Sequence, residues 1–208
     1  MPTLLHLDSS PAGDRSVSRA LTAEFVKNWQ AANPGGTVIT RDLTTTPLTA
    51  LNGEWIGAAF TPEDKRSAEQ KATLALSDTL TAELFSADEY VFGIPMHNFS
   101  VPGTFKLWID QIARAGVTFA YVDGKPQGLL KGKKAHFLIA TGGEYGPGTA
   151  AESFNFTEPY LRTLFFFLGV TDTSFQTAGG AAALNYGADR AEFLAPQLKA
   201  IQSKFATA

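Results

Sequence analysis

The sequence predicts an α/β fold, in which a doubly wound, five-stranded parallel sheet is covered by helices on both faces. Two observations support this prediction. Short apolar runs alternate with longer stretches in which apolar residues recur at helical spacing, and turn-forming residues separate them. The composition, 208 residues of which 44% are hydrophobic and 18% charged, suits one compact domain over residues 1–208.

The predicted strands are short and carry their aliphatic or aromatic residues at the centre. The last of them is the most polar, so we expect it at an edge of the sheet. The strands are predicted at Thr3–Asp8, Thr37–Leu43, Asp88–Ile94, Lys134–Thr141 and Val170–Thr177.

A helical pattern follows each predicted strand. Thr61-Pro62-Glu63-Asp64 offers a cap, a proline in the first turn and two acids, so we expect the second helix to begin there. On the third helix, Asp110 and Arg114 lie four residues apart and are expected to form an ion pair. The helices are predicted at Ser18–Ala32, Thr61–Ser86, Gly103–Ala115, Glu152–Leu168 and Gly187–Phe205.

Two stretches are longer than plain connections. Thr44–Phe60 is a partly apolar excursion after the second strand, and Gly116–Gly132 separates the third helix from the fourth strand. Long ordered loops on a small α/β domain usually serve as lids, binding walls or subunit contacts. The aromatic residues Phe119 and Tyr121 favour such a role over a surface arm that merely packs down.

A hydroxyl-rich turn, Ser9-Ser10-Pro11-Ala12-Gly13-Asp14-Arg15-Ser16-Val17-Ser18, joins the first strand to the first helix. Its hydroxyls and backbone N–H groups meet the positive end of a helix dipole, which favours a bound phosphate. The turn is neither a Walker A loop nor a G-x-G-x-x-G turn. The simpler alternative is that Ser16 or Ser18 only caps the helix.

Two further strand ends carry unusual loops. In Gly93–Gly103, Met96 and Phe99 are suited to flank a flat ring, while Asn98 and free backbone amides are suited to its polar edge. In Thr141–Gly148, the glycines permit close approach of the backbone to a ligand. Ligands of doubly wound sheets bind outside the carboxyl ends of the strands, so we expect these loops and the serine turn to form one site.

These motifs resemble those of the FMN-dependent NADH:quinone oxidoreductases and azoreductases, a flavodoxin-like family, over nearly the whole chain. The resemblance is carried by S-S-P-A-G-D-x-S-x-S, by P-M-H-N-F-S-V-P-G-T-F-K-L-W-I-D, and by A-G-V-T-F-x-Y followed by G-L-L-x-G-K-K. The chain departs from the family pattern at His97, where tyrosine or tryptophan is frequent, at Ala140-Thr141, where Ser-Arg is frequent, and at Ala120, where arginine is common.

The resemblance implies a flavodoxin-like fold that binds FMN noncovalently, in a homodimer whose two subunits both wall the flavin pocket. The FMN phosphate would lie on Ser10, Ser16 and Ser18, with the Val17 amide between them. The other implied contacts are Met96, His97, Asn98 and Phe99 to the isoalloxazine, Thr141, Gly142 and Gly143 from the glycine loop, and Phe119 and Tyr121 as the substrate wall.

The implied activity is the transfer of two electrons from NADH or NADPH to quinones and azo compounds by a ping-pong route. The cofactor performs the difficult step, so no catalytic side chain is predicted. Asn98 and neighbouring amides would stabilise the reduced ring, and His97 either donates a proton to the acceptor or contacts the ring through its backbone alone. The alternative is a flavodoxin-like carrier that passes electrons between proteins.

Several other classes of function are disfavoured. There are no cysteines, and none of the three histidines accompanies a G-x-S-x-G elbow or metal-ligand spacing, which argues against hydrolases and metal sites. The net charge of −3 recommends neither nucleic acid nor an anionic membrane as a partner. The longest apolar run, Leu164–Val170, is too short to cross a bilayer. A cytoplasmic protein is therefore expected.

Overall fold

A parallel sheet of five strands and a separate two-stranded hairpin form the β-structure of the protein, for which a computed structural model describes residues 1–206. The strands are β1 (Thr3–Asp8), β2 (Thr37–Asp42), β3 (Glu89–Pro95), β4 (Phe119–Val122), β5 (Lys125–Gly128), β6 (Lys134–Ala140) and β7 (Asp172–Ala178). The helices are α1 (Val17–Ala32), α2 (Gly53–Phe60), α3 (Ala68–Ser86), α4 (Gly103–Ile112), α5 (Thr157–Leu168) and α6 (Arg190–Phe205).

The strand order is β2-β1-β3-β6-β7, and every neighbouring pair in this sheet is parallel. The predicted doubly wound fold is confirmed, as is the edge position of the last strand. The chain builds outward from β1 to β2 and then crosses to the other side of β1 to form β3. This reversal of direction creates a crevice at the carboxyl ends of β1 and β3, where ligands of such sheets bind.

Both faces of the sheet are buried, because alternate residues of its strands point to opposite sides. On one face, Phe92 of β3 packs within 5.9 Å, between ring centroids, of Phe105, Trp108 and Phe165. Leu21 of α1 belongs to the core cluster on the opposite face, which α1 and α6 cover. The two clusters hold the sheet rigidly between its helices, so the strand ends that line the crevice are fixed in place.

The predicted start of the second helix was wrong. Helix α3 begins at Ala68, because Ser67 and Gln70 form a capping box in which each side chain accepts from the backbone N–H of the other. The upstream segment Glu63–Lys65 forms only a short 3₁₀ turn. Pro62, which precedes this turn, makes no side-chain cap hydrogen bond, whereas the capping box satisfies the backbone N–H groups of both Ser67 and Gln70. The capping box therefore sets the start of the helix.

The two long connections contain secondary structure that was not predicted. Thr44–Phe60 includes α2, whose start is capped by the side chain of Asn52. Gly116–Gly132 includes the antiparallel hairpin β4–β5, which reverses at Asp123-Gly124 with both residues at positive φ. Asp-Gly is a favoured pair for such a two-residue turn, so this hairpin was foreseeable from the sequence.

The expected ion pair between Asp110 and Arg114 is also absent. Asp110 instead accepts from Lys106, one turn earlier, with an N–O distance of 2.6 Å. Helix α4 ends at Ile112, so Arg114 lies beyond the helix and turns inward, where its guanidinium contacts Asp78 of α3 and is buried. Within residues 1–206, none of the helices combines the length and the hydropathy that crossing a bilayer requires.

Candidate functional site

A cleft of about 850 Å³ opens at the carboxyl ends of β1, β3 and β6, beside the reversal of strand order. Its walls are the serine turn after β1, the loop after β3, the glycine loop after β6 and the segment that joins β7 to α6. The sequence predicted the first three walls. Among the described residues, no cluster of three or more His, Cys, Asp or Glu side chains is placed to hold a metal ion.

The serine turn places donor groups at one end of the cleft. Ser10, Ser16 and Val17 all line it. Ser16 is the N-cap of the 16-residue helix α1, and its hydroxyl oxygen accepts from the Arg19 N–H at 3.2 Å. The N–H groups of Val17 and Ser18 lie in the first turn, where no intrahelical acceptor is available, so they remain free for a ligand. Hydroxyls, free N–H groups and the helix dipole together favour an anion.

Ser18 lies behind this surface. Its side chain is fully buried, and its hydroxyl lies 3.2 Å from the Ser16 hydroxyl, whereas the cleft is lined by Ser16 itself. Ser18 therefore offers a ligand its backbone N–H at the start of α1, while its hydroxyl forms a hydrogen bond with the Ser16 hydroxyl.

A partly buried charged network lies beneath the serine turn. The guanidinium of Arg19 donates to the carbonyl oxygen of Ser10 at 2.9 Å and to the Asp42 carboxylate at 2.8 Å, and it lies 3.6 Å from the Asp8 carboxylate. The hydrogen bond from Arg19 lowers the pKa of Asp42 to about 2, and the same bond raises the pKa of Arg19. A side chain at Gly93 would collide with the Asp8 carboxylate, so only glycine fits this position of β3.

The loop after β3 forms the second wall. Met96 and His97 line the cleft, and the chain then reverses in a tight turn, with hydrogen bonds in both directions between the backbones of His97 and Ser100. The two central residues, Asn98 and Phe99, have φ values of 49° and 68°. Non-glycine residues adopt this conformation at a cost, and such strain concentrates at functional sites.

Neither Asn98 nor Phe99 lines the cleft in the described chain. Phe99 is 45% exposed, and its ring lies 6.0 Å from that of Tyr145 and 5.6 Å from that of Phe154. The Phe99 ring therefore lies beside the segment that follows β6, and both residues directly follow His97, which lines the cleft.

The glycine loop after β6 forms the third wall, through Thr141 and Gly142. Two of its carbonyl groups are bound by the neighbouring wall, because Thr141 accepts from the N–H of Ala181 at 2.9 Å and Gly142 from that of Ala182 at 3.1 Å. Gly143 lies outside the lining and accepts from the Thr141 hydroxyl at 2.8 Å. These hydrogen bonds tie the glycine loop to the segment that follows β7, whose residues Ala181 and Ala182 also line the cleft.

The sequence interpretation missed the fourth wall, which consists of a 3₁₀ helix, Ala181–Tyr186, and Arg190 at the start of α6. Arg190 donates to the carbonyl oxygens of Arg15 and Ser16 at 2.8 Å each, and to that of Asp14 at 3.4 Å. The glycines at 179, 180 and 187 and the capping residue Asp189 gave a signal for an ordered turn here, but not for its contact with the serine turn.

Phe119 and Tyr121 lie on β4, away from the cleft of their own chain. The Phe119 ring packs against Phe167 of α5 at 4.7 Å between centroids. Tyr121 is 66% exposed. The predicted substrate wall is therefore not assembled within one chain.

Five parallel strands with a ligand cleft at the reversal of strand order define the class of flavodoxin-like α/β proteins. The chain belongs to the family described as having the flavodoxin-like fold, which matches residues 2–205. It is 57% identical to an FMN-dependent NADH:quinone oxidoreductase of Acidobacterium capsulatum, over 97% of this chain and 98% of the relative.

Two further relatives agree with this assignment. The chain is 50% identical to the FMN-dependent NADH:quinone oxidoreductase 3 of Burkholderia lata, over 98% of this chain and 99% of the relative. The crystal structure of an azoreductase from Bacillus anthracis superimposes with a TM-score of 0.88 and 25% identity, and the match covers 100% of both chains.

Proposed function

We propose that this protein is an FMN-dependent oxidoreductase that transfers two electrons from NADH or NADPH to quinones and azo compounds. The observation that carries the proposal is the cleft itself, which extends from donor groups suited to an anion at the serine turn to walls that include Met96 and Gly142. The high identity to relatives named as FMN-dependent NADH:quinone oxidoreductases over nearly their whole length supports the same activity.

The residues present fit a flavin mononucleotide. The hydroxyls of Ser10 and Ser16 and the free N–H groups of Val17 and Ser18 are donors suited to a phosphate that is held and not transferred. A volume of about 850 Å³ lies within the ordinary range of small-molecule and cofactor pockets. We assign noncovalent binding, with the predicted contacts of Asn98, Phe99 and Gly143 at the rim.

The donors that surround the cleft also suit an electron-rich ring. The carbonyl groups of Thr141 and Gly142 already accept from the N–H groups of Ala181 and Ala182, whereas the N–H groups of Val17 and Ser18 are free. Such fixed donors stabilise negative charge that develops on a bound ring without reorganising during the reaction. A flavin held by these residues would supply the redox chemistry, namely acceptance of a hydride from the nicotinamide and return of two electrons to the acceptor. The protein positions both substrates and excludes water.

We infer a ping-pong order because both substrates would use this cleft. The nicotinamide and the acceptor need the same space, so the oxidised nucleotide leaves before the acceptor enters. Asn98 would stabilise the reduced ring, and His97, which lines the cleft, would either contact the ring through its backbone or donate a proton to the acceptor.

The homodimer is part of the proposal. Phe119 and Tyr121 lie outside the cleft of their own chain, and Tyr121 is largely exposed, so they are free to wall the cleft of a second copy. A cytoplasmic location, where nicotinamide nucleotides are abundant, remains our expectation.

Activity without any partner protein tests the proposal against the electron-carrier alternative. The flavin-loaded protein is expected to oxidise NADH rapidly with menadione or an azo dye, and double-reciprocal plots should give parallel lines. Flavin-free protein should be inactive until FMN is added back. Negligible NADH oxidation by the loaded protein would favour the carrier, and intersecting lines would contradict the ping-pong order.

Subunit complementation tests the shared pocket. Ser16→Asp should empty a chain's own cleft of flavin, whereas Tyr121→Ala should damage only the wall that the chain lends to its partner. Co-expression of the two variants produces mixed dimers that contain one intact site, so the acceptor KM of the wild type should reappear. A mixture that behaves as the sum of its two parents would contradict a shared pocket.

A further inference from the structure

The serine turn is weakly supported by its own structure. Between Ser10 and Ser16 it contains only a 3₁₀ turn of three residues, Gly13–Arg15, and Pro11–Arg15 are exposed. Gly13 adopts a φ of 53°. Such a segment has few buried contacts of its own, so its conformation must be set by hydrogen bonds from elsewhere.

Arg19 holds the beginning of the turn. Its Nε donates to the Ser10 carbonyl oxygen at 2.9 Å, while its two terminal nitrogens each lie 2.8 Å from an oxygen of the Asp42 carboxylate. The carboxylate fixes the planar guanidinium in one orientation, as bidentate pairs do. Because Asp42 and Asp8 compensate its charge, Arg19 acts on the turn through geometry more than through free positive charge.

Arg190 holds the end of the turn. It reaches across from the first residue of α6 and donates to three successive carbonyl groups, those of Asp14, Arg15 and Ser16. The helix that carries it starts at a well-formed cap, in which the Asp189 carboxylate accepts from the Glu192 N–H at 2.8 Å. Its position is therefore fixed independently of any ligand.

We propose that Arg19 and Arg190 are positioning residues that hold the serine turn in its phosphate-binding shape through hydrogen bonds to its carbonyl groups. This inference rests on the proposed binding of FMN. A carbonyl group that is held by an arginine cannot turn toward the cleft, where its partial negative charge would repel a phosphate. The hydroxyls and N–H groups of the turn are left to face the anion. Arg19, whose charge is compensated, acts on the phosphate through the backbone of the turn, and Arg190, which also lines the cleft, acts through the three carbonyl groups that it holds.

A comparison of FMN with riboflavin isolates this role, because the two differ only in the phosphate. Dissociation constants for both are measured by quenching of flavin fluorescence on flavin-free protein. The variants are Arg190→Met, which removes the donors, Arg190→Lys, which keeps the charge without the planar fork, and Arg19→Lys. Arg162→Met is the matched control, since it removes the same charge from the exposed face of α5, where Arg162 pairs with Glu158.

Arg190→Met is expected to lower the preference for FMN over riboflavin by at least about tenfold, which corresponds to 1.4 kcal/mol, while riboflavin affinity is unchanged. Arg19→Lys should behave similarly, Arg190→Lys should recover only in part, and Arg162→Met should match the wild type. An unchanged preference in Arg190→Met would overturn the inference, as would equal loss of both flavins. Full recovery by Arg190→Lys would also overturn it, because charge alone would then suffice.

The failure of the proposed function has a different signature. Wild-type protein that binds neither flavin would refute FMN binding itself and the inference with it. Wild-type protein that binds the two flavins equally would refute the phosphate assignment. Wild-type protein that prefers FMN, with variants that keep this preference, would refute only the role of the arginines.

Discussion

Substitutions at Ser16 separate the stability of helix α1 from phosphate binding, because this side chain serves both. Its hydroxyl caps the helix by accepting from the Arg19 N–H, and it is the hydrogen-bond partner of the buried Ser18 hydroxyl. Ser16→Ala removes the cap, at about 1 kcal/mol, and leaves the Ser18 hydroxyl unpaired, at a further cost of about 1 kcal/mol. For a chain of this length, the sum of about 2 kcal/mol corresponds to a decrease in Tm of about 4–8 °C.

Ser16→Asp should give the opposite combination. Aspartate caps helices as well as serine does and offers an acceptor to Ser18, so the Tm of the flavin-free protein should stay near that of the wild type. Its negative charge repels a phosphate, and FMN binding should be lost. Ser67→Ala is the matched control, since Ser67 caps α3, is exposed, and lies outside the cleft.

Calorimetry measures both quantities, by thermal unfolding of the flavin-free chain and by titration with FMN. We expect Ser16→Ala to lose stability and affinity, Ser16→Asp to lose affinity alone, and Ser67→Ala to lose stability alone. A Ser16→Asp variant that binds FMN as the wild type does would refute the placement of the phosphate at Ser16. A Ser16→Ala variant that melts at the wild-type temperature would refute the stabilising role of the Ser16 hydroxyl.

Three further substitutions test other parts of the structure. The arginine hydrogen bond that lowers the pKa of Asp42 from 3.8 to about 2 stabilises the fold above pH 3.8, and this contribution is lost as the pH falls through 2. Asp42→Asn should therefore cost on the order of 1 kcal/mol in urea unfolding at pH 7 and clearly less at pH 2, where about half of the folded molecules carry a protonated Asp42. An equal cost at both pH values would contradict the pairing. Gly128→Ala places a side chain against the backbone at the end of α5 and should destabilise the fold by about 1–3 kcal/mol. Gly57→Ala, on the open face of α2, should instead stabilise the fold by about 0.5–1 kcal/mol. The reverse order of melting temperatures would contradict the packing. Tyr121→Ala should raise the acceptor KM and leave both Tm and FMN affinity unchanged, since the side chain is 66% exposed, and an unchanged KM would remove it from the substrate wall.

The sheet and the serine turn could be predicted because their signals are local. Each strand of the parallel sheet lies within two residues of its predicted bounds, since buried apolar runs between turn residues mark such strands directly. The serine turn was visible because its hydroxyls cluster within ten residues of sequence. The start of α3 was misplaced although Ser67 and Gln70 offered an equally local signal, because two start signals competed and energetics decided between them.

The remaining parts of the site depend on contacts between distant segments. Arg190 meets the carbonyl groups of the serine turn across 174 to 176 residues of chain, and no pattern near Arg190 announces this contact. Arg114 turns inward because Asp78 of α3 lies nearby, which spacing on α4 alone could not reveal. Phe119 and Tyr121 were identified by resemblance, and their distance from the cleft of their own chain became apparent only in the folded structure.

Titration of the flavin-free protein with FMN, and separately with riboflavin, tests directly whether the serine turn binds the FMN phosphate. We predict one FMN bound per chain, a yellow complex, and clearly tighter binding of FMN than of riboflavin because the serine turn holds the phosphate. Properly folded protein that releases no heat on addition of FMN, and is colourless once unbound flavin has been removed by gel filtration, would contradict this prediction.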